Sequence, residues 1–76
     1  MNLKFKKGNL KYLGSEVKTS RKGNNYFVIT FLDGGTTHTM LSHVEVPNYE
    51  FGENFTAEFS LDYNVKYPGV SILRYE

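Results

Sequence analysis

The sequence predicts a small all-β domain, and three observations favour this fold class: the composition, the alternation of apolar residues and the placement of glycines. Valine, isoleucine, threonine, tyrosine and phenylalanine occupy 26 of the 76 positions, whereas alanine occurs once and glutamine is absent. β-branched and aromatic residues favour strands, while alanine and glutamine favour helices. With 76 residues and no cysteine, we expect one domain over residues 1–76 that is held together by apolar burial without disulfides.

The first strand is predicted from Leu10 to Lys18, with Gly14 in its interior. A glycine inside a strand is typical of a bulge or bend, which lets one long strand serve two halves of a closed barrel. The polar residues 19–25 follow and contain Arg21 and Lys22. We call this segment the basic turn.

The second and third strands are predicted to form a hairpin. The second runs from Tyr26 to Leu32 and the third from about Thr36 to Ser42, and Asp33-Gly34-Gly35 between them is a strong turn signal because glycine adopts positive φ. Alternation divides the second strand into two faces. Phe27, Ile29 and Phe31 are assigned to the core, and Tyr26, Val28, Thr30 and Leu32 to the opposite face, which is either buried or open to a partner.

Residues 43–54 are predicted to be a loop, since the alternation stops there and Pro47 and Gly52 occur. In the fourth strand Phe55, Ala57, Phe59 and Leu61 point one way, and Thr56, Glu58, Ser60 and Asp62 point the other. A second hairpin loop, residues 63–69, leads to a fifth strand from Val70 to Tyr75. Five strands, the first long and bent, predict a Greek-key barrel of the oligonucleotide-binding (OB) type, with an SH3-like barrel as the alternative.

The charges are sorted along the chain although the formal net charge is only +1. Residues 1–25 carry a net charge of +6, residues 26–65 carry −6 and the last eleven carry +1. Such asymmetry favours a basic surface that meets an anion, and the alternative is a flexible lysine-rich end.

Catalysis, a metal site and a membrane span are not expected. His38 and His43 are five residues apart and fall on opposite faces of a continuing strand, and no catalytic or phosphate-binding motif occurs. No apolar run approaches the ~20 residues of a membrane helix, and the lysine-bearing start lacks the apolar run of a signal peptide. We therefore expect no enzyme activity, cofactor, metal or small-molecule substrate, and a cytoplasmic location.

Tyrosines beside cations are the strongest functional signal. Tyr26 begins the second strand next to the basic turn, and Tyr63 and Tyr67 flank Lys66 in the second hairpin loop. Single-stranded nucleic acid requires positive charge for its phosphates and flat side chains for its unpaired bases. Candidate nucleic-acid-binding residues on this basis are Lys18, Arg21, Lys22, Tyr26, Lys66 and Tyr67.

The second hairpin loop also predicts a homodimer. Tyr63, Val65 and Tyr67 alternate along it and present more apolar surface than the tip of a two-stranded hairpin can cover. Pairing of two such loops about a twofold axis would bury these residues. The alternative is a solvated loop that becomes ordered on nucleic acid.

The segment Ser20-Arg21-x-Gly23-x-x-Tyr26 resembles the S-R-x-G-x-x-Y motif of the gene V single-stranded DNA-binding proteins of filamentous phages. The chain length and the starting position of the motif also match. The segment from Tyr49 to Tyr75 is similar to the end of those proteins, so that the resemblance extends from about Leu10 onward.

The resemblance implies an OB fold without its usual helix, a symmetric dimer built partly through the second hairpin loop, and cooperative coating of single strands during replication. It implies that Arg21 contacts phosphate, that Tyr26 stacks on bases and that Val28 offers apolar contact on the same face. It also implies a role for Tyr67 across the dimer and, through a looser match, for Arg74. The family's third-strand lysine has no counterpart, since that strand offers only His38 as a cation. The basic start from Lys4 to Lys7 is a possible substitute.

Three functions are thus compared. The first is a sequence-tolerant single-stranded DNA-binding protein, encoded by a phage or mobile element and acting in the host cytoplasm if phage-encoded. The second is a small barrel that mediates protein contacts through the acidic residues 43–62. The third is a cold-shock-like RNA-binding barrel, which is disfavoured because no paired aromatic motif lies on adjacent strands.

Overall fold

The computed structural model describes residues 2–62 and 69–76. The described residues form five strands: β1 (Asn2–Thr19), β2 (Asn25–Asp33), β3 (Thr36–Ser42), β4 (Asn54–Asp62) and β5 (Gly69–Tyr75). No helix in these ranges is long and apolar enough to cross a membrane.

The strands form one closed barrel in the order β1-β2-β3-β5-β4. All neighbours are antiparallel except β3 and β5, which run parallel and meet at Ser42 and Ile72. The second half of β1 pairs with β2 and its first half pairs with β4, so one strand closes the barrel on both sides. This arrangement confirms the predicted all-β Greek-key barrel of OB type without the usual helix.

β1 begins at Asn2, eight residues before the predicted start at Leu10. Its first half pairs with β4, so from Asn2 onward the basic segment is a paired strand and the alternative of a flexible lysine-rich end is wrong there. Leu3 lies opposite Leu61 and Phe5 lies opposite Phe59, which is the alternation of a strand. The register then shifts between Lys7 and Leu10, and this bulge breaks the pattern that the sequence would otherwise show.

Gly14 marks a second bulge in β1, as predicted. The β1–β2 register shifts between Tyr12 and Gly14, and the φ of Gly14 is 150°, a value that residues with a side chain rarely adopt. The β2–β3 turn is also as predicted, since Gly34 and Gly35 have φ of 57° and 93° and a type I′ turn requires positive φ at both positions.

The core contains side chains from β1, β2, β4 and β5. Its fully or nearly fully buried members are Leu10, Ile29, Phe31, Phe55, Ala57, Phe59 and Ile72. Tyr75 packs beside them and donates its hydroxyl to Ser42 Oγ at 2.8 Å, and that oxygen donates to the carbonyl of Val44 at 2.6 Å. Burial raises the pKa of Tyr75 above its ordinary 10.0, so the phenol remains the neutral donor that this chain of hydrogen bonds requires.

The burial of Phe27 and of Ser60 differs from the sequence prediction. Phe27 was assigned to the core with Ile29 and Phe31 but is only half-buried, because the β1–β2 pair extends beyond the core at this end. Val17, its pairing partner, is 60% exposed. Ser60 was assigned to the solvent face of β4 but is 6% exposed, since its small side chain lies between Lys4 of β1 and Ser71 of β5.

Loop 43–53 closes the end of the barrel at which β4 begins. The Tyr49 ring stacks on Phe55 with centroids 5.1 Å apart and also contacts Tyr12 at 5.7 Å. The loop is attached to β1 because Tyr12 N donates to Glu53 O at 2.9 Å and Gly52 N donates to Tyr12 O at 2.7 Å. An irregular segment thus covers this end of the core, and the prediction of a loop here is confirmed.

Candidate nucleic-acid interface

The outer face of β1, β2 and β3 carries the predicted site residues of β2. Tyr26 lies directly opposite Lys18 of β1, and Val28 lies opposite Glu16 on one side and Leu41 on the other. Directly opposed residues of an antiparallel pair lie on the same face, so the five side chains form one surface. Tyr26 and Val28 are half-buried, while Lys18 and Leu41 are exposed.

Beyond Val28 this face carries a pair of threonines, and further along it Leu32 lies opposite Lys11 of β1 and Thr37 of β3. Thr30 lies opposite Thr39 of β3, and their hydroxyl oxygens are 3.0 Å apart in a hydrogen bond. On β1 the position opposite Thr30 is Gly14, and a Cβ placed there would have no atom within 4 Å. The face therefore has a shallow open area beside the apolar Val28–Leu41 pair, where a flat group can approach the sheet.

The basic turn connects β1 and β2 at the edge of this face. Its backbone is closed by Ser20 N donating to Asn24 O at 2.8 Å and Gly23 N donating to Ser20 O at 3.0 Å. Gly23 has a φ of 86°, so this position favours glycine. Arg21 and Lys22 lie at the apex, are exposed and form no ion pair with any residue of the described ranges.

The seven cations of the first 25 residues differ in whether they form an ion pair. In the first half of β1, Lys6 pairs with Glu76 at 2.6 Å and Lys7 pairs with Asp33 at 2.5 Å. On the outer face, Lys18 Nζ is 3.6 Å from Glu16 Oε1. The two side chains are 48% and 64% exposed, so this ion pair is weak. Among the described residues, Arg21 and Lys22 of the basic turn and Lys4 and Lys11 of β1 form no ion pair and remain available for an anion.

Arg74 does not join the other predicted site residues. It lies on β5 opposite Glu58 of β4, and its Nε is 3.2 Å from Glu58 Oε1. β4 and β5 are not neighbours of β2 in the barrel, so Arg74 and Tyr26 belong to different parts of its surface. Lys66 and Tyr67, and the predicted dimer residues Tyr63 and Val65, lie outside the described residues.

His38 does not supply a cation to the outer face either. It lies opposite Phe31, and the two ring centroids are 5.6 Å apart, so its ring is on the core side of β3. His43 follows the end of β3, and its Nε2 is 2.9 Å from Ser71 Oγ. Among the residues that the structure describes, no three His, Cys, Asp or Glu side chains are grouped as a metal site requires.

Two exposed apolar residues were not singled out from the sequence. Leu41 is 39% exposed and lies beside Val28, and only the register between β2 and β3 places them together. Phe51 is 79% exposed at the tip of loop 43–53. The sequence could have indicated Phe51, because it is a large aromatic residue in a polar loop, directly before Gly52.

The basic turn and the apolar residues beside it have the chemical groups that a polyanion with flat bases would contact. Cations at the basic turn can neutralise phosphates, while Tyr26, Val28 and Leu41 offer a continuous apolar strip to flat groups. Comparison of the chain with protein-family models, with curated proteins and with solved structures found no match.

Proposed function

We propose that the protein is a sequence-tolerant single-stranded DNA-binding protein of the phage or mobile-element type, acting in the cytoplasm during replication. The observation that carries the proposal is the pairing of Tyr26 with Lys18 on the outer face, next to the unpaired cations Arg21 and Lys22. Binding takes place by phosphate neutralisation and base stacking, with no reaction catalysed and no cofactor. The resemblance of residues 20–26 to the gene V motif supports the same conclusion.

The chemistry of the outer face favours a single strand over a duplex. Tyr26, Val28 and Leu41 present apolar surface, which unpaired bases cover and a phosphodiester backbone does not. Phosphates are expected at the exposed cations of the basic turn, and the bases over the strip. Recognition by stacking accepts every base, which explains why no sequence preference is expected.

Binding to single-stranded DNA is expected to weaken steeply with salt. Each phosphate neutralised on a single strand contributes about −0.7 to the slope of log K against log salt, so three or four contacts give about −2 to −3. Fluorescence anisotropy with a labelled dT oligomer measures this slope, with labelled rU and duplex oligomers for comparison. No binding at about 50 mM salt would refute the proposed function.

A pair of double variants tests where the phosphates bind. Replacing Arg21 and Lys22 with serine is expected to make the slope shallower by about 1.4. Replacing Lys4 and Lys6 with serine removes the same charge from the half of β1 that pairs with β4, and is expected to leave the slope nearly unchanged. Equal losses in both variants would mean that only the total charge matters.

The protein is proposed to be a homodimer through Tyr63, Val65 and Tyr67, on the strength of their alternation in the sequence. Sedimentation equilibrium in the micromolar range is expected to give the dimer mass. Replacing Val65 and Tyr67 with aspartate is expected to give the monomer, because two charges would have to be desolvated in the interface. A monomeric parent protein, or a dimer unaffected by both substitutions, would contradict this prediction.

A second candidate function, mediation of protein contacts, is favoured by Phe51. Its exposed ring projects from a turn that is closed by Glu53 N donating to Glu50 O at 3.0 Å. Exposed aromatic side chains on ordered backbone are common anchors in protein interfaces. Loss of partner binding in Phe51→Ala with unchanged affinity for dT oligomers would distinguish this function from the first.

A further inference from the structure

The two ends of the barrel differ in how they are closed. Loop 43–53 covers one end with Tyr49. At the other end, where β1 begins and the β2–β3 turn lies, the described residues leave a cavity of about 300 Å³. Phe5 and Val70 at its mouth are 38% and 39% exposed, so apolar surface faces the solvent there.

The walls of this cavity are mainly aromatic. Phe31 and Phe59 are buried and form its inner part, and Phe5 stacks on Phe59 with centroids 5.3 Å apart and planes inclined by 9°. Met40 lies on the β3 side. Aromatic rings prefer offset stacks and edge-to-face contacts at centroid distances of about 4.5–7 Å, so these walls favour another flat ring over a branched aliphatic group.

Three polar side chains lie among these apolar walls. Lys7 and Asp33 form an ion pair with each other, so together they add no net charge to the cavity. The His38 ring packs against Phe31 and has no hydrogen-bond partner among residues 2–62 and 69–76. One hydrogen-bonding group with no net charge nearby fixes the orientation of a neutral ligand and does not select a charged one.

We propose that this mouth of the barrel is a binding site for a flat, neutral aromatic molecule of one or two rings that carries one hydrogen-bonding group. The volume lies at the lower end of the range of small-molecule sites, which matches a ligand of this size. The site is separate from the proposed nucleic-acid interface, because Met40 and His38 face the core side of β3 while Leu41 faces outward.

Indole is a suitable probe, and the chain supplies its own reporter. Met1 and Met40 are the two methionines, so labelling the methionine methyl groups with ¹³C gives two NMR signals. Indole is expected to shift the Met40 signal saturably, through its ring current, with a Kd of about 1 mM or tighter. Cyclohexanol, which has a hydroxyl but no aromatic ring, is expected to bind at least about tenfold more weakly.

Two tryptophan variants locate the binding. Val70→Trp fills the mouth and is expected to weaken indole binding about tenfold or more, whereas Val17→Trp, at the far end of β1, is expected to change it less than about twofold. The proposal is overturned if the Met40 signal does not saturate, if both variants behave alike, or if cyclohexanol binds as tightly as indole.

Discussion

Phe31→Ala is expected to lower the free energy of unfolding by about 3–5 kcal/mol. Phe31 is 2% exposed, and its ring contacts Phe55 and Phe59 at centroid distances of 5.8 and 5.9 Å, so its removal leaves a cavity between two strands. A domain of this length has a total stability of roughly 4–11 kcal/mol, so the variant is expected to be at best marginally folded. Urea unfolding followed by circular dichroism measures the difference.

Phe51→Ala is the matched control for Phe31→Ala. The same atoms are removed, but Phe51 is 79% exposed, so the expected change in stability is within about 0.5 kcal/mol. Phe31→Leu keeps most of the buried volume and is expected to fall between the two. Equal destabilisation by Phe31→Ala and Phe51→Ala would mean that the assignment of the core is wrong.

The parts of the fold that were predictable are those in which a local signal agrees with the long-range pairing. β3 has the predicted bounds because Gly34 and Gly35 determine where the hairpin turns. The alternation of β4 from Phe55 to Phe59 appears as buried and half-buried positions in the structure. In both cases the residues that determine the element lie within it or next to it.

The start of β1 was not predictable in the same way. Leu3 and Phe5 alternate with Lys4 and Lys6, but Gly8 and Asn9 interrupt the pattern before it continues at Leu10. Asn9 has a φ of 59°, a conformation that asparagine tolerates better than most residues, and the strand continues through it as a bulge. Its pairing with β4, more than fifty residues away, holds the segment in place.

The candidate site was predictable only where its residues are neighbours in the chain. Tyr26 and the basic turn adjoin in the chain, so sequence alone associated them. Leu41 joins Val28 only through the β2–β3 register, and Arg74 is separated from both by the order of strands in the barrel. Charge counted along the sequence also overstated the available cations, because Lys6 and Lys7 are paired with Glu76 and Asp33.

Tyr26→Ala is expected to weaken binding of a dT oligomer about 5- to 150-fold, since one stacked base is worth about 1–3 kcal/mol. Tyr26 is half-buried on the outer face, outside the group of core residues, so the variant is expected to remain folded. Tyr26→Phe keeps the ring and is expected to bind nearly as well as the parent protein. Anisotropy titrations at one salt concentration compare the three proteins.

Ile29→Ala is the control on the same strand and has the opposite expected outcome. Ile29 is fully buried, and its loss is expected to cost about 2–5 kcal/mol of stability while the folded fraction binds with the parent affinity. Weaker binding in Tyr26→Ala together with lower stability in Ile29→Ala is expected only if Tyr26 lies on the binding face and Ile29 lies in the core. If Tyr26→Ala instead unfolds the protein, or if it binds as well as the parent, then Tyr26 is not a stacking residue and the bases must lie elsewhere on the barrel.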